Sequence, residues 1–148
     1  MSKWRKFNAL PVRDRSRLII YVLLLPLIHL CLGWFGYARL HRFLASHPLK
    51  QPAFQGENSQ GMEEANHTAY LVSIAGRNGF FPATCLRQSL LVFWLLRCRG
   101  IQTELRIGVQ HREGKVIAHA WVTRGDELIS DSSQVGKDFS PFIGFHVD

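Results

Sequence analysis

Hydrophobic and polar positions divide the chain into stretches of different period. From Leu18 to Ala38 the run LIIYVLLLPLIHLCLGWFGYA contains no formally charged residue, so it has no polar face of the ordinary kind. From Ser46 to Gly61, SHPLKQPAFQGENSQG gathers Pro, Gly, Gln, Ser and Asn and reads as a loop or linker. Met62 to Ala75 opens with acidic residues and carries Ala65, Ala69 and Val72 near helical spacing, which predicts a second helix ending near Gly76 to Gly79.

Phe80 to Gly100, FFPATCLRQSLLVFWLLRCRG, has a marked start and a marked stop. Pro82 sets the approach and Thr84 is a good N-cap. Leu86, Leu90, Phe93, Trp94, Leu95 and Leu96 supply apolar positions, and Arg97, Arg99 and Gly100 close the end, which predicts a buried helix. The period then changes. Thr103 to Gln110 alternates Leu105, Ile107 and Val109 against Glu104, Arg106 and Gly108, as a half-buried strand does. Gly114 marks a hairpin turn, Val116 to Arg124 reads as a second strand, and Glu127 to Asp131 as a third after a Gly125-Asp126 turn. The tail beyond Ser132, with Gly136, Pro141 and Gly144, reads as irregular.

The long apolar run supports two readings. It is long enough to cross a bilayer, its flank of Lys3, Arg5, Lys6, Arg13, Arg15 and Arg17 against Asp14 alone favours the cytoplasmic side, and Trp34 and Tyr37 suit an interface. Pro26, His29, Gly33 and Gly36 also fit a helix, kinked at Pro26, that packs on a small domain or on a partner. A secretory signal has less support, since no small-residue cleavage site follows closely.

Composition narrows the function classes. The chain of 148 residues suits one compact domain, and its net charge of +7 favours acidic or anionic partners. The basic residues lie toward both ends without an aromatic-interleaved strip, so nucleic-acid binding gains little support. The three cysteines, Cys31, Cys85 and Cys98, form no C-x-x-C pair and point to a reducing compartment without structural disulfides. The histidines lack metal-ligand spacing, so neither a metal nor another cofactor is expected.

Cys85 falls in the first turn of its helix, where unpaired N–H groups and the positive end of the dipole favour a thiolate; the plainer reading is a small core residue. On the second strand, alternation places Ile117, His119 and Trp121 on one face, and Asp131 at the end of the third strand comes opposite His119 if the two pair antiparallel. Thiol, imidazole and carboxylate are the parts of nucleophilic acyl transfer. His119 would take the thiol proton, Asp131 would hold the imidazole tautomer, and Cys85 would attack a carbonyl, its own N–H serving as an oxyanion donor.

The run TCLRQSLLVFWLLRCRGIQTELRIGV, followed by AHAWV and then LISD, closely resembles the catalytic proteins of lasso peptide biosynthesis. These are transglutaminase-like cysteine peptidases that remove the leader from a ribosomally made precursor. The likeness covers about residues 80 to 133, and its motifs TCL, LLR-x-RGI, LRIGV and AHAWV occur together in order. It implies an α+β, transglutaminase/papain-like fold, with a cysteine-bearing helix packed on an antiparallel sheet and an N-terminal apolar helical region. It also implies Cys85, His119 and Asp131 as nucleophile, base and orienting acid. The partners implied are the precursor leader peptide, commonly cut after a segment with penultimate threonine, a separate leader-recognition protein and an ATP-dependent lasso cyclase. The chain resembles the stand-alone peptidase form, because no recognition domain precedes the apolar run.

The resulting organisation is a basic and apolar helical region over residues 1–50, a linker over 51–61 and a peptidase core over 62–148, in a cytoplasmic protein with peripheral membrane association left open. Two other readings stand beside the peptidase. One is a transglutaminase-like acyl transferase that passes the thioester to an amine; the other is a non-catalytic membrane-bound adaptor.

Overall fold

The computed structural model describes residues 10–46, 59–79, 83–112, 114–129 and 140–141. Within them, three helices precede a four-stranded antiparallel sheet, the α+β arrangement expected from the sequence. The helices are α1 (Val12–Ser46), α2 (Ser59–Asn78) and α3 (Cys85–Cys98). The strands are β1 (Glu104–Arg112), β2 (Lys115–Arg124), β3 (Glu127–Ile129) and β4 (Ser140–Pro141), in spatial order β3-β2-β1-β4.

α1 extends well beyond the uncharged run and breaks at a different residue from the one expected. Pro26 lies inside the helix, whereas the backbone leaves helical values at Gly36 (φ 73°, ψ 167°). That region of backbone space is open essentially to glycine alone, which makes Gly36 and not Pro26 the bend. Before the bend, Leu18, Tyr21, Leu25 and Ile28 form the buried edge; after it, Leu40 and Leu44 do. His41 stacks between Tyr37 and Phe93, at centroid distances of 5.6 and 5.3 Å.

α2 begins at Ser59, so the last three residues of the expected linker are helical. Gly61 is buried in this first turn, and a Cβ there would stand 2.6 Å from Arg124 Nη1, so the start of α2 lies close against β2. The buried side of α2, including Ala65, Leu71, Val72 and Ala75, belongs to the same hydrophobic cluster as the inner face of α1, α3, Val122 and Ile129.

A polar clamp fastens the helices to one another. Arg99, just past α3, donates to Tyr21 Oη on α1 at 2.7 Å and to Thr68 Oγ1 on α2, and pairs with Glu64 at 3.3 Å. Glu64 also meets Arg17 at 3.1 Å, and Asp14 lies 3.1 Å from His67 Nε2. The termination of α3 follows the expected Gly100 signal. Gly100 has φ 75°, its N–H reaches the Arg97 carbonyl, and the Ile101 N–H reaches Leu96, the paired bonds of a Schellman motif.

β1 and β2 form the expected hairpin, with Gly108 opposite His119 and Arg112 opposite Lys115. β3 pairs antiparallel to β2 through Val122↔Ile129. The tail, expected to be irregular, contributes β4, which adds to the far side of β1 at Gly108↔Pro141 and Val109↔Ser140.

Candidate active site

Cys85 is the first residue of α3 and is half-buried. Thr84 occupies the N-cap with extended backbone, as expected, but its hydroxyl makes no capping bond. The first turn is held differently: the Gln88 amide donates to the Thr84 carbonyl at 3.1 Å, and Gln88 Nε2 donates to the Ala83 carbonyl at 2.8 Å. One turn on, the buried Ser89 hydroxyl donates to the Ala120 carbonyl at 2.9 Å and fastens the helix to the residue after His119. Helix and strand are thereby locked in register beside both candidate groups.

His119 stands where β2 passes from solvent into the core. Lys115 to Ala118 are exposed, His119 is half-buried, and Ala120 to Thr123 are buried. The Trp121 ring, on the same side by alternation, lies 6.3 Å from the imidazole at an interplanar angle of 18°. Burial lowers the His119 pKa below its ordinary 6.5. At neutral pH the ring is therefore uncharged and able to accept a proton, the state a general base needs.

Cys85 and His119 line a single cavity of about 410 Å³. α3 contributes Cys85, Gln88, Ser89 and Val92; α2 contributes Ala69, Val72, Ser73 and Arg77; and β2 and β3 close it with His119, Ala120, Trp121, Val122 and Ile129. Its size suits a small ligand or a few residues of an extended peptide, and its wall mixes apolar side chains with a few convergent polar groups. Asp131, the expected orienting acid, lies outside the described residues, two positions beyond the last residue of β3.

Sequence reasoning passed over several residues of this wall. Gln88 and Ser89 carried a usable signal, since positions three and four after Cys85 share its helix face. Ser73 and Arg77 carried none, because they arrive from α2 through packing. Arg77 donates to the Ser73 carbonyl and hydroxyl, so the pair enters the wall as one unit. Desolvation by itself does not mark the site: burial and, secondarily, Arg97 also lower the pKa of His41, which does not line the cavity. Among the described residues, no cluster of His, Cys, Asp or Glu is placed to hold a metal ion.

Comparison with known proteins extends the picture beyond the cavity. No curated protein and no solved structure matches the chain. A family model described as the Transglutaminase-like superfamily matches residues 29–143, from within α1 to beyond β4 and across Cys85, His119 and Asp131. With a match over most of its length, this chain belongs to the transglutaminase-like superfamily, whose members are generally cysteine-based hydrolases or acyltransferases.

Proposed function

We propose that the chain is a cysteine peptidase that removes the leader from a lasso peptide precursor, working with a separate leader-recognition protein and an ATP-dependent cyclase. The observation that carries this reading is that Cys85, at a helix start, and His119, uncharged at neutral pH, line one cavity. The motif run from TCL to LISD supports the choice of substrate. His119 accepts the Cys85 proton, and the thiolate attacks the carbonyl carbon of the last leader residue. The Cys85 N–H steadies the oxyanion.

Collapse breaks the peptide C–N bond, and the amine of the core leaves with the proton held by His119. Water, deprotonated by the same imidazole, then opens the thioester to a carboxylate and restores the thiol. Asp131 holds the tautomer and stabilises the charged ring. The freed amine is the nucleophile that ring closure by the cyclase requires.

The test is mass spectrometry of a candidate precursor incubated with the chain and the recognition protein, beside a Cys85→Ala control. Two fragments, both absent in the control, are expected. Cutting that persists without Cys85 would overturn the nucleophile assignment, and a joined amide product would move the chain to the acyl transferases.

A further inference from the structure

We infer that the outer face of α1 seats in the plane of an anionic lipid bilayer surface. Ile19, Leu23, Leu27, Leu30 and Trp34 follow one another at helical spacing on the side turned away from the core, a stripe about 22 Å long at 1.5 Å per residue. These side chains are at least half exposed, Leu23 at 64% and Trp34 at 83%. A continuous apolar stripe of this length is more than the scattered hydrophobic residues of an ordinary surface. The helix is long and apolar enough to cross a membrane by length and composition.

The inner face argues against crossing. Tyr21 is held by Arg99, Arg17 by Glu64 and Asp14 by His67, while past the bend Leu40 and Leu44 are buried and His41 stacks on Phe93. The domain therefore lies alongside the whole helix. A spanning pose would drag Glu64, His67 and Arg99 into hydrocarbon or tear them from α1. An in-plane seat removes the stripe from water and leaves the clamp intact.

Charge selects the partner. The exposed charges of α1 are arginines beyond the two ends of the stripe, Arg13 on one side and Arg39 and Arg42 on the other. Its single acid, Asp14, is buried against His67. An apolar band bracketed by charge of one sign complements an anionic surface whose interior is hydrocarbon.

Flotation of the full chain with vesicles of phosphatidylcholine alone, or mixed with phosphatidylglycerol, tests the inference. The chain is expected to float with the mixed vesicles and about tenfold less with neutral ones, or when salt rises from about 0.1 M to about 0.5 M. Leu23→Glu combined with Leu27→Glu should lower partitioning at least about tenfold with an unchanged circular dichroism spectrum and melting temperature. Trp34→Gln, a milder change, should lower it about threefold and abolish a vesicle-induced blue shift of tryptophan emission. Absence of flotation, indifference to these substitutions or equal binding to neutral vesicles overturns the inference. So does association that resists alkaline carbonate, which indicates a span, or a dimer split by the same substitutions without flotation, which gives the face to a second copy.

Discussion

Between Leu18 and Ala38, α1 is as uniformly apolar as α3 between Leu90 and Leu96, yet the two helices meet different surroundings. α3 is covered by α1 and α2 on one side and by β1 and β2 on the other, and Leu90, Leu91 and Leu96 are fully buried. α1 packs on α2 and α3 from one side only, and its opposite face keeps the same residue types exposed. A helix without a polar face must be covered all round by something, but its own pattern does not say by what. In α3 the cover is this protein, and the end that emerges from the core presents Cys85 to a cavity.

The largest effect expected concerns that emerging end. If the thiol is the nucleophile, Cys85→Ala lowers precursor cleavage by at least about 10⁴-fold in a reconstituted assay, while urea unfolding stays close to that of the parent chain. A large loss of stability with retained cleavage would reverse the roles assigned to the two parts of α3.

Next in size is a direct contrast of leucines. Leu91→Ala in α3 should cost about 2–5 kcal/mol, because it removes buried methyl groups and leaves a cavity. Leu23→Ala, on the outer face of α1, should cost less than about 1 kcal/mol. Equal losses in urea titrations would mean that the outer face of α1 is covered in solution.

Gly100→Ala should destabilise by roughly 1 kcal/mol or somewhat more, since it forces an L side chain into the positive φ that ends α3; a thermal melt would show it. The smallest effect is pH-dependent. The folded His119 pKa lies below that of the unfolded chain, so between those values the unfolded state binds more protons and stability rises with pH. Stability should therefore fall as pH drops below about 6.5, and His119→Gln should flatten that slope in urea titrations across pH. In the parent chain the acid limb of kcat/KM should lie below the range of a free imidazole.

How much of the molecule was legible in the chain follows the range of the forces involved. Thr84 and Gly100 bracket α3 because caps act within a turn, and the alternation around Ile107 shows β1 because side chains of a strand alternate with every residue. The bend was misplaced because Pro26, an obvious helix breaker, is accommodated, while Gly36 becomes a hinge only where Leu40 and Leu44 must turn to reach the core. The two-residue β4 escaped notice because a strand so short has no period of its own; its pairing with Gly108 and Val109 makes it one. Of the cavity wall, Cys85 and His119 could be named from the sequence, whereas the part built by α2 with Ser73 and Arg77 could not.

By itself, the sequence determined how α3 is capped, that a hairpin follows it and which side chains have the chemistry for acyl transfer, since those properties depend on neighbours within a few positions. Only the tertiary structure decided that α3 is enclosed while α1 is covered on one side, that a thiol and an imidazole border one cavity, and that Arg99 joins Tyr21 to Thr68. Those outcomes depend on contacts such as Ser89 to Ala120 and Tyr21 to Arg99, 31 and 78 positions apart. At such separations, packing of the whole chain chooses the partners.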